Sequence, residues 1–141
     1  MKLDGYFRSV VWLAGAGTLF AGYLSGIKLF SGQCAFNESC PYFLGYPACY
    51  FGLGLFLAMF GLSFYAVAKK KFEISIVEKI MAVSVLGILF AGYFVVGEII
   101  QAINNGFTLY GLGFPTCVYG LVFYAIIFYL SLLKLRLVGK K

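Results

Sequence analysis

The chain has 141 residues, of which 62% are hydrophobic and 11% are charged, and it contains no histidine. This composition excludes a soluble globular domain and is typical of a protein that lies in a lipid bilayer. The formal net charge is +6, but the sequence shows no basic and aromatic groove of the kind that binds nucleic acid. We therefore expect the lipid bilayer as a partner and no nucleic acid.

Four segments are apolar and long enough to cross the hydrocarbon core, which requires roughly 20 helical residues. These segments are residues 10–30, 49–68, 80–100 and 116–133. The sequence predicts an all-α integral membrane protein with a single domain, residues 1–141, built as a four-transmembrane-helix bundle. Within the first segment, Gly22 and Gly26 form a Gly-x-x-x-Gly pattern, which predicts close helix packing at that place.

Basic residues lie almost entirely at one end of the predicted bundle. Ten of the eleven precede segment one, separate segments two and three, or follow segment four, and the exception is Lys28. The connections at the opposite end, residues 31–46 and 101–114, contain no lysine or arginine. Basic residues near helix ends are retained in the cytoplasm during insertion. We therefore expect a multi-pass protein of the cell (inner) membrane, with both termini cytoplasmic and these two connections on the non-cytoplasmic side.

The two halves of the chain repeat one another. Two pairs of stretches match, at offsets of 70 and 68 residues: 17–23 with 87–93, and 45–53 with 113–121. Because each unit holds two helices, both copies enter from the same side and are related by an axis along the membrane normal. The match makes Cys49 and Cys117 equivalent positions at the start of helices two and four. The sequence thus predicts a bundle of two parallel two-helix repeats.

A charged residue stands near the non-cytoplasmic end of segments one and three. Lys28 and Glu98 occupy corresponding positions in the two halves. An ion pair between them would lower the cost of placing two charges within the membrane. Alternatively, each side chain extends separately to the membrane surface. The sequence is compatible with both arrangements.

Two cysteines lie in the first non-cytoplasmic connection. Cys34 and Cys40 flank a short polar stretch and can close a small ring, which we expect to be oxidised at rest on that side of the membrane. The Cys-x5-Cys and Cys-x8-Cys spacings lack the Cys-x2-Cys pairing usual in a zinc site, and no histidine is present. We therefore expect no metal site.

The stretch from the first cysteine into helix two carries a recognisable pattern, Cys34-x5-Cys40-Pro41 followed by Gly45-Tyr46-Pro47-x4-Gly52-Leu53. This pattern resembles the first outer loop and second helix of the vitamin K epoxide reductase family, especially its bacterial members. The chain is similar also to bacterial disulfide bond protein B. The resemblance implies an enzyme, a membrane thiol-disulfide oxidoreductase. Such an enzyme passes electrons from an external thioredoxin-like dithiol partner, through a loop cysteine pair and an inner cysteine pair, to a membrane quinone.

By position, the resemblance makes Cys34 and Cys40 the loop pair that shuttles electrons. The family's inner pair is a Cys-x-x-Cys at the start of helix four, where this chain has Phe114 in place of the first cysteine and Cys117 as the second. Cys49 is the available second thiol. A Cys49–Cys117 bridge would also staple the two halves together. The alternative function is therefore a non-catalytic membrane scaffold protein with structural disulfides.

Aromatic residues are concentrated at the same end of the predicted bundle as the cysteines. They are Tyr42, Phe43, Tyr46, Tyr50, Phe51, Tyr110, Phe114 and Tyr119. An aromatic belt at the membrane surface explains most of them. Quinone pockets are also mostly apolar, with few polar groups. We predict that Phe114 and Tyr119, beside Cys117, bind the quinone and that the remaining aromatic residues form the belt.

Overall fold

The computed structural model describes residues 2–31, 42–43, 45–105 and 116–140, apart from some side chains near the ends of these ranges. Within this part of the chain, four helices follow one another: α1 Leu3–Ser31, α2 Ala48–Ala68, α3 Ile74–Asn105 and α4 Thr116–Gly139. Two short strands, β1 Tyr42–Phe43 and β2 Tyr46–Pro47, pair antiparallel just before α2. Between the strands, Gly45 has a φ of 84°, a conformation that glycine adopts without steric cost. This strand pair was not predicted.

Each of the four helices contains a stretch that is long and apolar enough to cross a membrane. The stretches are Leu3–Ile27, Tyr50–Ala68, Ile74–Gln101 and Val118–Gly139. The prediction of four long apolar helices is therefore confirmed.

The helices extend beyond the predicted segments at several ends. α1 begins at Leu3 instead of residue 10, α3 runs from Ile74 to Asn105 instead of 80–100, and α4 continues to Gly139. Residues 101–105, which were predicted as part of a connection, are therefore helical. The added turns carry charged and amide side chains, which end an apolar run. They do not end a helix, because these turns contain no proline.

Neighbouring helices run antiparallel. Between α1 and α2, a Cβ atom at Gly15 would lie 3.4 Å from the ring of Phe60, and one at Gly22 would lie 3.8 Å from Leu53. The α1 residue number rises while the α2 number falls, so the two helices point in opposite directions. We call the end where α1 and α3 finish and α2 and α4 begin the cysteine end. The opposite end, which includes the turn at Lys69 to Lys71, is the lysine end.

Helices α1 and α4 are also antiparallel. At the lysine end, the hydroxyl groups of Tyr6 and Ser131 share a hydrogen bond of 2.7 Å in the buried interior. Nearer the cysteine end, the rings of Phe20 and Tyr119 meet edge to face with centroids 6.0 Å apart. The bundle therefore alternates in direction from one helix to the next, and α2 and α4 are parallel.

The tightest helix contacts involve two other glycines than those predicted. A Cβ atom at Gly17 would overlap the ring of Phe56, and one at Gly87 would overlap the ring of Tyr124. A Cβ atom at Gly26 would meet no described atom within 4 Å. In the Gly-x-x-x-Gly pattern, Gly22 therefore packs against α2 at ordinary contact distance, and the pattern does not mark the tightest helix contacts. Helical spacing identifies a pair of glycines, but it does not show which glycine a large side chain of the neighbouring helix packs against.

Buried positions recur at the offsets of the sequence match. In α1 and α3, at an offset of 70, they include Tyr6 and Ile76, Phe7 and Val77, Val10 and Ile80, Ala14 and Ser84, Ala21 and Ala91, and Leu24 and Phe94. In α2 and α4, at an offset of 68, they are Phe56 and Tyr124, Met59 and Ile127, Ser63 and Ser131, and Ala66 and Lys134. The two halves thus bury the same faces of corresponding helices.

Candidate functional site

Two of the four predicted site cysteines lie at equivalent places in the helices. Cys49 is the second residue of α2 and Cys117 is the second residue of α4. Both helices begin at the cysteine end. The side chains of these two residues, and the whole of Cys34 and Cys40, lie outside the described residues. The pairing of the four cysteines therefore stays a prediction.

The contact between α2 and α4 fixes the register of the two helices that carry Cys49 and Cys117. The rings of Phe56 and Tyr124 stack with centroids 4.4 Å apart and an interplanar angle of 9°. Each ring is seven residues after the cysteine of its own helix. Seven residues make almost two full turns, so each cysteine position lies on the same helix face as the stacked ring, about 10 Å nearer the cysteine end.

Glycines stand one turn after each of these cysteines, at positions 52 and 120. The Tyr124 hydroxyl donates a hydrogen bond of 3.0 Å to the carbonyl oxygen of Gly52. A Cβ atom at Gly52 would lie 3.9 Å from that hydroxyl oxygen. A side chain of α4 therefore packs directly on the backbone of α2 next to Cys49. Small residues at such a place allow two helices to approach closely.

An apolar cleft of about 670 Å³ lies between α2 and α3 and opens on the outer surface of the bundle. Its walls are Tyr50, Phe51, Gly54, Leu55, Leu86, Leu89, Phe90, Tyr93 and Phe94. The first of these follows Cys49 directly in the chain. The volume falls within the range of small-molecule sites, which are mostly apolar with few polar groups. Among the described residues in its walls, the polar side-chain atoms are the two tyrosine hydroxyls.

Ring contacts hold the wall of this cleft together. The centroids of Phe51 and Phe90 are 5.7 Å apart, which joins α2 to α3. Along α3, Phe90 and Phe94 meet edge to face at 5.0 Å, and Tyr93 meets Phe94 at 5.3 Å. Gly54 supplies the open space, since a Cβ atom there would meet no described atom within 4 Å.

The predicted quinone-binding residues lie elsewhere or outside the described residues. Tyr119 is half-buried and packs against Phe20 of α1, and it is not in the wall of the cleft. Phe114 lies outside the described residues. By the offsets of the sequence match, Tyr119 corresponds to Phe51 and Phe20 corresponds to Phe90. The prediction that Phe114 and Tyr119 bind the quinone stays a prediction.

Sequence reasoning assigned Tyr50 and Phe51 to an aromatic belt and missed their place in the cleft. One signal was available in the internal match. Gly54 corresponds to Val122, so one half has open space at a position where the other half has a branched side chain. A missing side chain beside aromatic residues on two neighbouring helices is the pattern that would have indicated the cleft.

Two polar side chains are buried near the cysteine end. Ser25 and Glu98 are each 6% exposed. The hydroxyl of Ser25 has no hydrogen-bond partner within the described structure, whereas Ser63 and Ser131 donate to carbonyl oxygens of their own helices. The side chain of Lys28 is outside the described set, so the predicted Lys28–Glu98 pair stays a prediction. The interior at this end is therefore more polar than the walls of the cleft.

Comparison of this chain with protein-family models, with curated proteins and with solved structures gives no match.

Proposed function

We propose that this chain is a membrane thiol-disulfide oxidoreductase that passes electrons from an external thioredoxin-like dithiol protein to a membrane quinone. The observation that carries the proposal is the apolar cleft whose wall begins at Tyr50, one residue after Cys49. A membrane quinone is a flat ring on an apolar tail, and it needs an apolar site that it can enter from the lipid. The cleft has both properties, and its wall begins one residue after the candidate redox residue Cys49, whose own position is on the face of α2 that meets α4.

Insertion in the membrane is supported by the outer surface of the bundle. Large hydrophobic side chains are exposed on all four helices, among them Trp12, Leu57, Leu89 and Tyr129. Such a surface suits lipid tails and would be costly in water. Ten of the eleven basic residues belong to the lysine end or its flanks. We therefore propose that the lysine end and both termini face the cytoplasm, and that the cysteine end is on the non-cytoplasmic side.

A two-repeat architecture is supported by the matching buried faces and by the matching contacts. Gly17 packs against Phe56 as Gly87 packs against Tyr124, and each pair is related to the other by the offsets of 70 and 68. The two aromatic residues then stack on each other. Residues that are equivalent in two repeats and touch each other lie on the axis that relates the repeats. We propose that this axis runs along the membrane normal between α2 and α4.

The same axis supports a pair between Cys49 and Cys117. Both positions lie on the helix faces that meet at Phe56 and Tyr124, two turns closer to the cysteine end. A disulfide requires Cα atoms within about 7 Å, and the stacked rings of Phe56 and Tyr124 together with the Tyr124–Gly52 hydrogen bond join the two helices next to this level. The Cys-x-x-Cys motif of the resembled family has a cysteine where this chain has Phe114. In the proposed arrangement, Cys49 takes the part of that missing cysteine.

The proposed relay consists of three exchanges that balance in electrons and protons. The partner dithiol reduces the Cys34–Cys40 disulfide and becomes a disulfide itself. The loop dithiol then reduces a Cys49–Cys117 disulfide. The inner dithiol finally gives two electrons and two protons to the quinone, which becomes a quinol while the inner disulfide forms again. Each of the first two exchanges passes through a mixed disulfide.

The test fills the cleft without touching a cysteine. Gly54→Leu places a side chain in open space, so the bundle should fold, but the quinone loses room. The full chain in nanodiscs should then show at least a tenfold higher KM for a short-tailed quinone, measured by quinol formation with a reduced thioredoxin-like protein. The matched control is Gly61→Leu in the same helix, where a Cβ atom also meets no described atom within 4 Å. An unchanged KM in Gly54→Leu would remove the cleft as the quinone site.

The alternative function is a non-catalytic membrane scaffold in which the disulfides are structural. The contact between α2 and α4 favours it equally, because a Cys49–Cys117 bridge there would tie the two halves. In the chain-entropy model such a loop contributes roughly 4 kcal/mol. A scaffold predicts that either cysteine-to-alanine substitution lowers stability and that the wild-type protein reduces no quinone.

A further inference from the structure

A carboxyl group is buried in the apolar bundle near the cysteine end. Glu98 of α3 is 6% exposed, although ionisable groups within a membrane are costly and usually mark a pathway for ions or protons. Of the other glutamates, Glu73 and Glu78 are exposed at the lysine end, and Glu38 is outside the described residues. Glu98 is thus the one buried glutamate among those that the structure describes.

Glu98 follows Phe94, the last residue of α3 in the wall of the cleft, by one helical turn, and it lies on the buried face of α3. Phe90, Phe94 and Glu98 are spaced by four residues, which places them one above another on α3. Phe90 contacts both Phe94 and, across the gap to α2, Phe51. A continuous column of side chains thus runs from Phe51, two residues after Cys49, to Phe94. Glu98 follows Phe94 towards the cysteine end, about 6 Å further along α3.

The height of Glu98 along the bundle is close to that of the inner cysteines. Tyr124 packs at the level of Gly87, and α3 and α4 run antiparallel. Cys117 is seven residues from Tyr124 towards the cysteine end, and Glu98 is eleven residues from Gly87 in the same direction. The difference of four residues corresponds to about 6 Å. Glu98 therefore lies just beyond the level of Cys117, on the side towards the non-cytoplasmic surface.

We infer that Glu98 transfers protons between the inner cysteine pair and the quinone. This inference rests on the proposed function. Reduction of the quinone by a dithiol releases two thiol protons and consumes two protons at the quinone oxygens. The Glu98 carboxylate accepts the proton of the attacking thiol, and the carboxylic acid so formed donates that proton to a quinone oxygen. Two S–H bonds break, two O–H bonds and one S–S bond form, and Glu98 returns to its starting state.

A purely structural role for Glu98 makes different predictions. If the carboxylate only holds helices together, its loss should lower thermal stability or distort the cleft. The KM for the quinone would then rise, while the rate at saturation would change little. Proton transfer instead acts on the rate at saturating quinone. A structural role therefore changes KM, whereas proton transfer changes kcat, and measuring both distinguishes the two roles.

The experiment measures single-turnover quinol formation by the pre-reduced full chain in nanodiscs, with a short-tailed quinone. Glu98→Gln should lower the rate at saturating quinone by about 100-fold or more, the usual contribution of a positioned acid or base, with KM within about twofold. Glu98→Asp should keep part of the rate. The matched control is Glu78→Gln, on the exposed face of the same helix, which should behave as wild type.

Chemical rescue provides a second readout. Glu98→Ala should regain part of its rate when formate or acetate is added, whereas Cys117→Ala should not. Equal rates for Glu98→Gln and wild type would overturn the inference while leaving the proposed function in place. The inference would also be overturned if the Glu98 variants raised KM or lowered stability while kcat stayed unchanged. Absence of quinol formation in wild type would remove the proposed function, and this inference with it.

Discussion

Substituting Gly17 with alanine should destabilise the bundle, although alanine ordinarily favours a helix. A Cβ atom at this position would overlap three ring atoms of Phe56. That ring is 2% exposed and stacks on Tyr124, so it has no open space to move into. Overpacking a filled core costs about 1–3 kcal/mol, while replacing a helical glycine by alanine returns about 1 kcal/mol. Because three atoms overlap, we expect a net loss of about 1–2 kcal/mol.

The assay is reversible unfolding of the purified protein in mixed micelles, followed by circular dichroism at increasing SDS fraction. Gly61→Ala is the control, because it gains helix propensity without an overlap and should be as stable as wild type or more so. Gly87→Ala should lose as much as Gly17→Ala if the halves are equivalent. Adding Phe56→Leu to Gly17→Ala should recover part of the loss. If Gly17→Ala were as stable as Gly61→Ala, the packing described between α1 and α2 would be wrong.

Three further predictions concern topology and the cysteines. In a background without native cysteines, single cysteines introduced at Lys70 and at Asn105 should label from opposite sides of oriented vesicles, and labelling of both from one side would contradict the proposed orientation. The Cys34–Cys40 disulfide should open before any other as the reductant concentration is raised, because an exposed bond meets thiolates more easily. Mass spectrometry measures this order. Finding Cys34 or Cys40 joined to Cys49 or Cys117 at rest would contradict the pairing. Phe114→Cys should restore the family's inner motif and support quinone reduction by that local pair, and a variant less active than wild type would argue against the assignment.

The helices could be predicted from the sequence because their signal is local. A run of about 20 apolar residues favours a long helix that could span a membrane, and prolines at positions 47 and 115 mark the starts of α2 and α4. The other helix ends could not be predicted in this way. At the start of α1 and at the end of α3 the helix continues through polar residues, because no proline interrupts the hydrogen bonds of its backbone. Hydropathy identifies the apolar run, and a helix can extend beyond that run.

The candidate site could be predicted only in part, because it depends on contacts between distant residues. The equivalence of Cys49 and Cys117 followed from the internal match. The cleft did not, since it arises where Gly54 of α2 faces aromatic residues of α3. Only the packing of the two helices shows that Phe51 and Phe90 enclose a space there. Likewise, Gly17 packs against Phe56 and Gly87 against Tyr124, each about 40 residues away in sequence. The register of the helices determines these partners.

Quinone-dependent oxidation of a reduced thioredoxin-like protein is the measurement that tests the proposed function most directly. The wild-type chain in nanodiscs should form one quinol for each partner disulfide. Cys49→Ala and Cys117→Ala should each form none, while their circular dichroism spectra remain those of the folded bundle. Absence of quinol formation by wild type with every quinone tried, together with a lower unfolding midpoint in both cysteine variants, would contradict the enzyme and identify the cysteines as structural.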